Sequence, residues 1–190
     1  MLSVKHLGIS LAVVATAAVA VVAQTIGQPE EFTAVAIQNN NLGSGADRVI
    51  IRVTRWSTEK ESAQLTAALK KGPGQLLDDL RDQRSVGTIR TPDSIGYDLR
   101  YAHQERGEDG GRRIVIATDR PISFWEARNQ PRSIDYPFTF IQIEIDKNGE
   151  GKGTLSYATK VMPHGNLIVL ENFATTPIML RDVQARPVRN

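Results

Sequence analysis

A chain of 190 residues, 41% hydrophobic and 23% charged, is sized for one globular domain with a core of its own. Its formal charge of +2 falls to +1 once Lys5 is set aside with the N-terminal segment, which leaves no clustered positive charge for a nucleic-acid partner. The absence of cysteine excludes disulfides, thiolate nucleophiles, cysteine-ligated zinc and a lipidated cysteine anchor.

Residues 1–23 carry Lys5 and His6, then an apolar, Ala-rich run from Leu7, then polar residues from Gln24. Small or apolar side chains at Val21 and Ala23 suit a signal peptide cut near Ala23, which places the mature protein in the periplasm or outside the cell. The alternative is an uncleaved anchor, since about 17 apolar residues is the lower limit for a membrane span. Residues 24–31 read as a flexible start, 32–185 as one β-rich domain and 186–190 as a frayed tail.

Phe32 to Gln38 and Arg48 to Trp56 alternate as strands, joined by a Gly/Asn-rich loop over 39–47. Val49, Ile51 and Val53 share one face of the second strand. At Thr58 the period changes. Thr58 and Glu61 have capping-box spacing, and Leu65, Ala68 and Leu69 then repeat on one helical face until Gly72-Pro73-Gly74. A second short helix over 75–83 turns Leu76, Leu77 and Leu80 inward, with Asp78, Asp79 and Asp82 on the opposite, solvated side.

From Val86 onward the pattern is strand. The run 96–106 puts Tyr97, Leu99, Tyr101 and His103 on one face, and His103 reads as a core or rim histidine. Asp109-Gly110-Gly111 turns the chain into 112–118. Residues 138–147 alternate with Ile141, Ile143 and Ile145 on one side, Asn148-Gly149 makes a tight turn, and 153–161 returns with Leu155, Tyr157, Thr159 and Val161 together. His164 reads as a turn residue, and strands follow at 167–173 and 178–183. The fold class predicted is mainly β: an antiparallel β-barrel or β-sandwich of about eight strands, with a two-helix insertion after the second strand.

The chemically richest stretch is Thr118 to Phe138, with Phe124, Trp125, three arginines, three carboxylates and three prolines. Two readings compete. In one, the aromatics plug an end of the β scaffold while Arg120, Arg128 and Arg132 pair with Asp119, Glu126 and Asp135. In the other it is a binding mouth formed by Arg120, Trp125, Glu126, Arg128, Asn129, Arg132, Asp135 and Tyr136, with flat apolar rings and an arginine for a polar or anionic group. A glycosidase-like use of Glu126 with Asp135 or Asp119 is the catalytic alternative. No nucleophile elbow, Walker loop, H-E-x-x-H or dinucleotide fingerprint occurs. No catalytic residue, metal ligand or cofactor is therefore assigned.

The segments R-W-S-T (55–58), G-Y-D-L-R-Y-A (96–102) and R-I-V-I-A-T-D-R-P-I-S-F-W-E-A-R-N-Q-P-R-S-I-D-Y-P-F-T (113–139) resemble a group of hypothetical exported bacterial proteins of uncharacterised function. The resemblance covers most of the chain beyond the leader and implies export, with no activity attached. The function expected is an exported, non-enzymatic β-rich domain that binds a small molecule or an envelope protein through 118–138. A cell-envelope hydrolase and a structural protein that self-associates through a strand edge are the alternatives. Membrane contact is expected only through an uncleaved leader.

Overall fold

The computed structural model describes residues 27–40, 43–107, 109–122, 137–164, 167–172 and 176–188, and the leader lies outside them. The chain forms β1 (Glu30–Asn40), β2 (Gly43–Val53), α1 (Glu59–Lys71), α2 (Pro73–Asp82), β3 (Gly87–Arg90), β4 (Tyr97–Leu99), β5 (Tyr101–Arg106), β6 (Arg112–Thr118), β7 (Phe138–Ile145), β8 (Glu150–His164), β9 (Leu167–Asn172) and β10 (Ile178–Pro187). The mainly β class and the two-helix insertion after the second strand are as the sequence predicts. Among the described residues no helix is long and apolar enough to cross a membrane.

All ten strands belong to one antiparallel sheet in the order β4-β3-β2-β1-β10-β8-β7-β6-β5, with β9 attached to β8 alone. The two ends of this path are consecutive in the chain, separated only by Arg100. Leu99 accepts from the Val86 N–H at 2.8 Å, Arg100 N–H donates to Ala117 at 2.9 Å, and the Ala102 carbonyl accepts from Ser57 N–H at 2.9 Å. One bent run, 97–106, thus meets β3 on one edge and β6 on the other. The sheet curls into a half-barrel, and the two ends of its strand order are joined through this bend.

The inward faces fill the interior. Phe32, Ile51, Ile89, Leu99, Ile114, Ile116, Ile141, Ile143 and Leu155 are fully buried in one cluster, so the centre is a packed core rather than a channel. Near one end a charged pair lies within it: Arg112 donates through both terminal nitrogens to Glu30, at 2.7 and 2.9 Å, and also to Gln104 Oε1 at 2.7 Å.

Several predicted boundaries and faces change. The loop expected over 39–47 is mostly strand, because β1 and β2 stay in register as far as Asn40 and Gly43. β10 continues past Ala185, pairing Arg186 with Glu31 and Pro187 with Glu30, so the expected tail is held by β1. β8 likewise runs on to His164, which ends a strand paired with β9. The single stripe predicted for 97–103 is broken at Arg100. Leu99 and Ala102 both enter the core, whereas Tyr101 faces outward with His103, because the bend inverts the alternation. A register shift between β7 and β8 separates Leu155 and Tyr157, which face inward, from Val161, which packs under the helices.

Candidate functional site

Of the residues expected to bind through 118–138, Arg120 alone is described. Trp125, Glu126, Arg128, Asn129, Arg132, Asp135 and Tyr136 lie outside the described residues. Both feet of the connection are firmly placed. Thr118 pairs with Thr139 across β6 and β7. Ile122 is fully buried, and its N–H donates to Thr139 Oγ1 and to the Tyr157 carbonyl, each at 3.1 Å. The Arg120 carbonyl accepts from the hydroxyls of Thr118 and Thr139, each at 2.9 Å.

Asp119 sits at the first foot with its side chain only 5% exposed, 3.5 Å from the Nε atoms of both Arg100 and Arg120. Arg100 also donates to the Gln83 carbonyl at 3.2 Å. This carboxylate joins the bend at Arg100 to the end of α2, and its two arginine neighbours make it a structural ion-pair centre. Arg120 and Asp119 are two of the six residues that the plug reading pairs, and the other four lie outside the described residues.

A concavity begins at the second foot. Phe138 is fully buried, with Leu65 of α1, Leu76 and Leu80 of α2, and Val161 of β8. These side chains belong to the outer face of the sheet and to the helix pair that covers it. Between helices and sheet runs a groove of about 390 Å³, walled by Leu65, Leu69, Leu76, Leu80, Phe140 and Val161. Its floor has a simple origin. Tyr101, Ala117 and Phe140 are neighbours in one row across β5, β6 and β7, and the methyl of Ala117 between two rings leaves a trough. Of the next row, His103, Val115 and Gln142, only Val115 and Gln142 line the groove.

The polar groups are few. Ser62 Oγ and the Tyr101 hydroxyl lie 3.3 Å apart, with Thr66 and Gln142 close by. His103 stacks on Tyr101 with ring centroids 6.2 Å apart and lies 3.6 Å from Glu105, so it is a rim residue of the outer face and not a core histidine.

The helices are held over this face by local chemistry. Thr58 Oγ1 accepts from Glu61 N–H at 3.2 Å, and Glu61 accepts from Thr58 N–H at 2.7 Å, the capping box the sequence predicts. Arg55 donates to Glu61 at 3.0 Å and to the Arg84 carbonyl at 2.9 Å, tying the start of the insertion to its end. That hydrogen bond from Arg55, opposed by partial burial and reinforced by Thr58, holds the Glu61 carboxyl below its ordinary range. Asp79 accepts from Gln75 at 2.6 Å, and Asp78 and Asp82 are exposed.

A larger concavity, about 960 Å³, opens between the β5–β6 and β7–β8 turns. Side chains of both signs line it, among them Glu105, Arg113, Glu144, Lys147 and Lys152, and Arg113 lies 3.8 Å from Glu144. With opposite charges interleaved around it and Ile145 as the one large apolar side chain among its described lining residues, it offers an apolar ligand less than the groove does. Among the described residues no group of three or more His, Asp or Glu side chains could hold a metal ion.

No protein-family model, curated protein or solved structure matches this chain. The sequence marks Leu65, Leu69, Leu76 and Leu80 as inward helical positions but not as a site, and one further signal points to the sheet face they cover. β7 carries Phe138 and Phe140 on the face opposite Ile141, Ile143 and Ile145, and apolar residues on both faces of a strand mean both faces are covered.

Proposed function

We propose that this protein is an exported, non-enzymatic binding domain that takes a small apolar molecule in the groove between α1–α2 and the outer face of β5–β8. The observation that carries this reading is the groove itself: leucine, phenylalanine and valine walls around about 390 Å³, with a few convergent hydroxyl and amide groups. That size and composition suit a small-molecule site. Export rests on the charged and then apolar pattern of residues 1–23.

The 118–138 connection returns to the sheet at Phe138, one of the side chains behind the groove wall, which supports a contribution from its aromatic residues. The test uses the uncharged dye Nile red. Wild-type protein enhances its fluorescence, and Thr66→Trp, a bulky change at an exposed rim position on α1, abolishes the enhancement while leaving the melting temperature within about 2 °C. Trp125→Ala weakens dye binding if the connection contributes. Absence of dye binding to the wild type at micromolar protein would overturn the proposal.

A further inference from the structure

We infer that the groove selects an uncharged amphiphile, whose hydroxyl or carbonyl group is held by the Ser62–Tyr101 hydroxyl pair; this rests on the groove being a binding site. Four observations converge on it. Among the described residues that line the groove there is no Asp, Glu, Lys or Arg. A carboxylate or ammonium group would leave water there without a countercharge, a costly transfer, whereas a hydroxyl or ester needs only one or two hydrogen bonds.

The second observation is the hydroxyl pair. Ser62 Oγ and Tyr101 Oη share a single hydrogen bond at 3.3 Å, a long one. Two hydroxyls carry two protons, so one O–H has no acceptor among the described residues, and both oxygens keep lone pairs. The pair can therefore donate to a ligand oxygen and accept from a ligand hydroxyl.

Third, the nearest ring that could carry a positive charge is turned to another use. His103 stacks on Tyr101 and lies beside Glu105, and it does not line the groove. Fourth, the hydroxyls are grouped, and Gln142 on β7 is the one other polar side chain among the described lining residues. Ser62 and Thr66 are four residues apart on α1, and Tyr101 faces Ser62 across the gap, while Leu76 and Leu80 of α2 and Val161 form an apolar far wall. A molecule with one polar end and one apolar body matches that asymmetry.

The experiment is displacement of Nile red from the full chain at pH 7 by 1-decanol, decanoate and decyltrimethylammonium, all below their aggregation thresholds. The expected result is that 1-decanol displaces the dye at a concentration lower by about tenfold or more than either charged analogue. Tyr101→Phe, and separately Ser62→Ala, erases that preference while Nile red still binds, so a folding failure of one variant leaves the other to decide. Equal or stronger displacement by a charged analogue, or an unchanged preference in both variants, overturns the inference while the binding reading stands. Failure of Nile red to bind at all sinks the binding reading itself. A wild type that sediments as a dimer, becomes monomeric in Thr66→Trp and takes up no amphiphile shows that a second copy covers the groove, and overturns the inference as well.

Discussion

Glu30 and Arg112 are 82 positions apart in the chain, yet their side chains meet in the core with exposures of 10% and 3%. The bidentate geometry and the added bond to Gln104 compensate for removing both charges from water, and neither charge is tolerable alone. Glu30→Gln strands the guanidinium and is expected to cost about 3–5 kcal/mol in urea denaturation. The double replacement Glu30→Leu with Arg112→Met should cost less than that single change, because no buried charge is then left unpaired. Nothing in the sequence marks these two residues as partners. Glu30 falls in a segment read as a flexible start, and Arg112 is one of sixteen arginines. A charge-bearing residue betrays its burial only when its strand's inward face is known, and for β1 that face is set by Phe32, Ala34 and Ala36.

The helix pair is the element on which the proposed site depends, and its first turn is the part most plainly written in the sequence. Thr58 and Glu61 have one spacing that satisfies two free N–H groups, a short-range condition that tertiary packing does not need to supply. Thr58→Ala should cost about 1 kcal/mol and lower dye binding, since α1 supplies Ser62, Leu65, Thr66 and Leu69 to the groove. Because the folded protein holds Glu61 below its ordinary value, chiefly through the bond from Arg55, its contribution is present in full above about pH 4.5 and is lost as pH falls through the folded value. Asp146 acts in the same direction: it accepts from the backbone N–H groups of Glu150 and Asn148 and is likewise lowered. The melting temperature should accordingly fall on acidification below about pH 4.5, and fall less steeply in Glu61→Gln. The strands were less legible than the helices. Alternation identified them, but the bend at Arg100 and the shift in β8 exchange inward and outward positions without any change in residue type.

At the scale of the whole molecule, the half-barrel is held by long-range pairing. β6 and β7 have neighbours on both edges, and the bent run 97–106 is bonded on both sides, whereas β9 pairs with β8 alone. Amide hydrogen exchange should follow this order. The N–H groups of Ile114, Ile116, Ile141 and Ile143 should exchange only with global unfolding, and those of Ile168 and Leu170 should be faster by about two orders of magnitude or more. Uniform protection across β9 would show that its outer edge is covered, which is what the self-association alternative requires.

The sequence alone determined that the chain is β-rich, that two helices, the first opened by a capping box, interrupt it after the second strand, and which isoleucines face the core of β7. These are consequences of local periodicity, where each residue is read against neighbours two to four positions away. Tertiary structure alone decided that the two ends of the strand order are joined through 97–106, that Glu30 reaches Arg112, and that the leucines of α1 and α2 wall a groove over Ala117. Each of these joins residues tens of positions apart, and a contact between distant segments depends on sheet curl and strand register, neither of which a local pattern encodes.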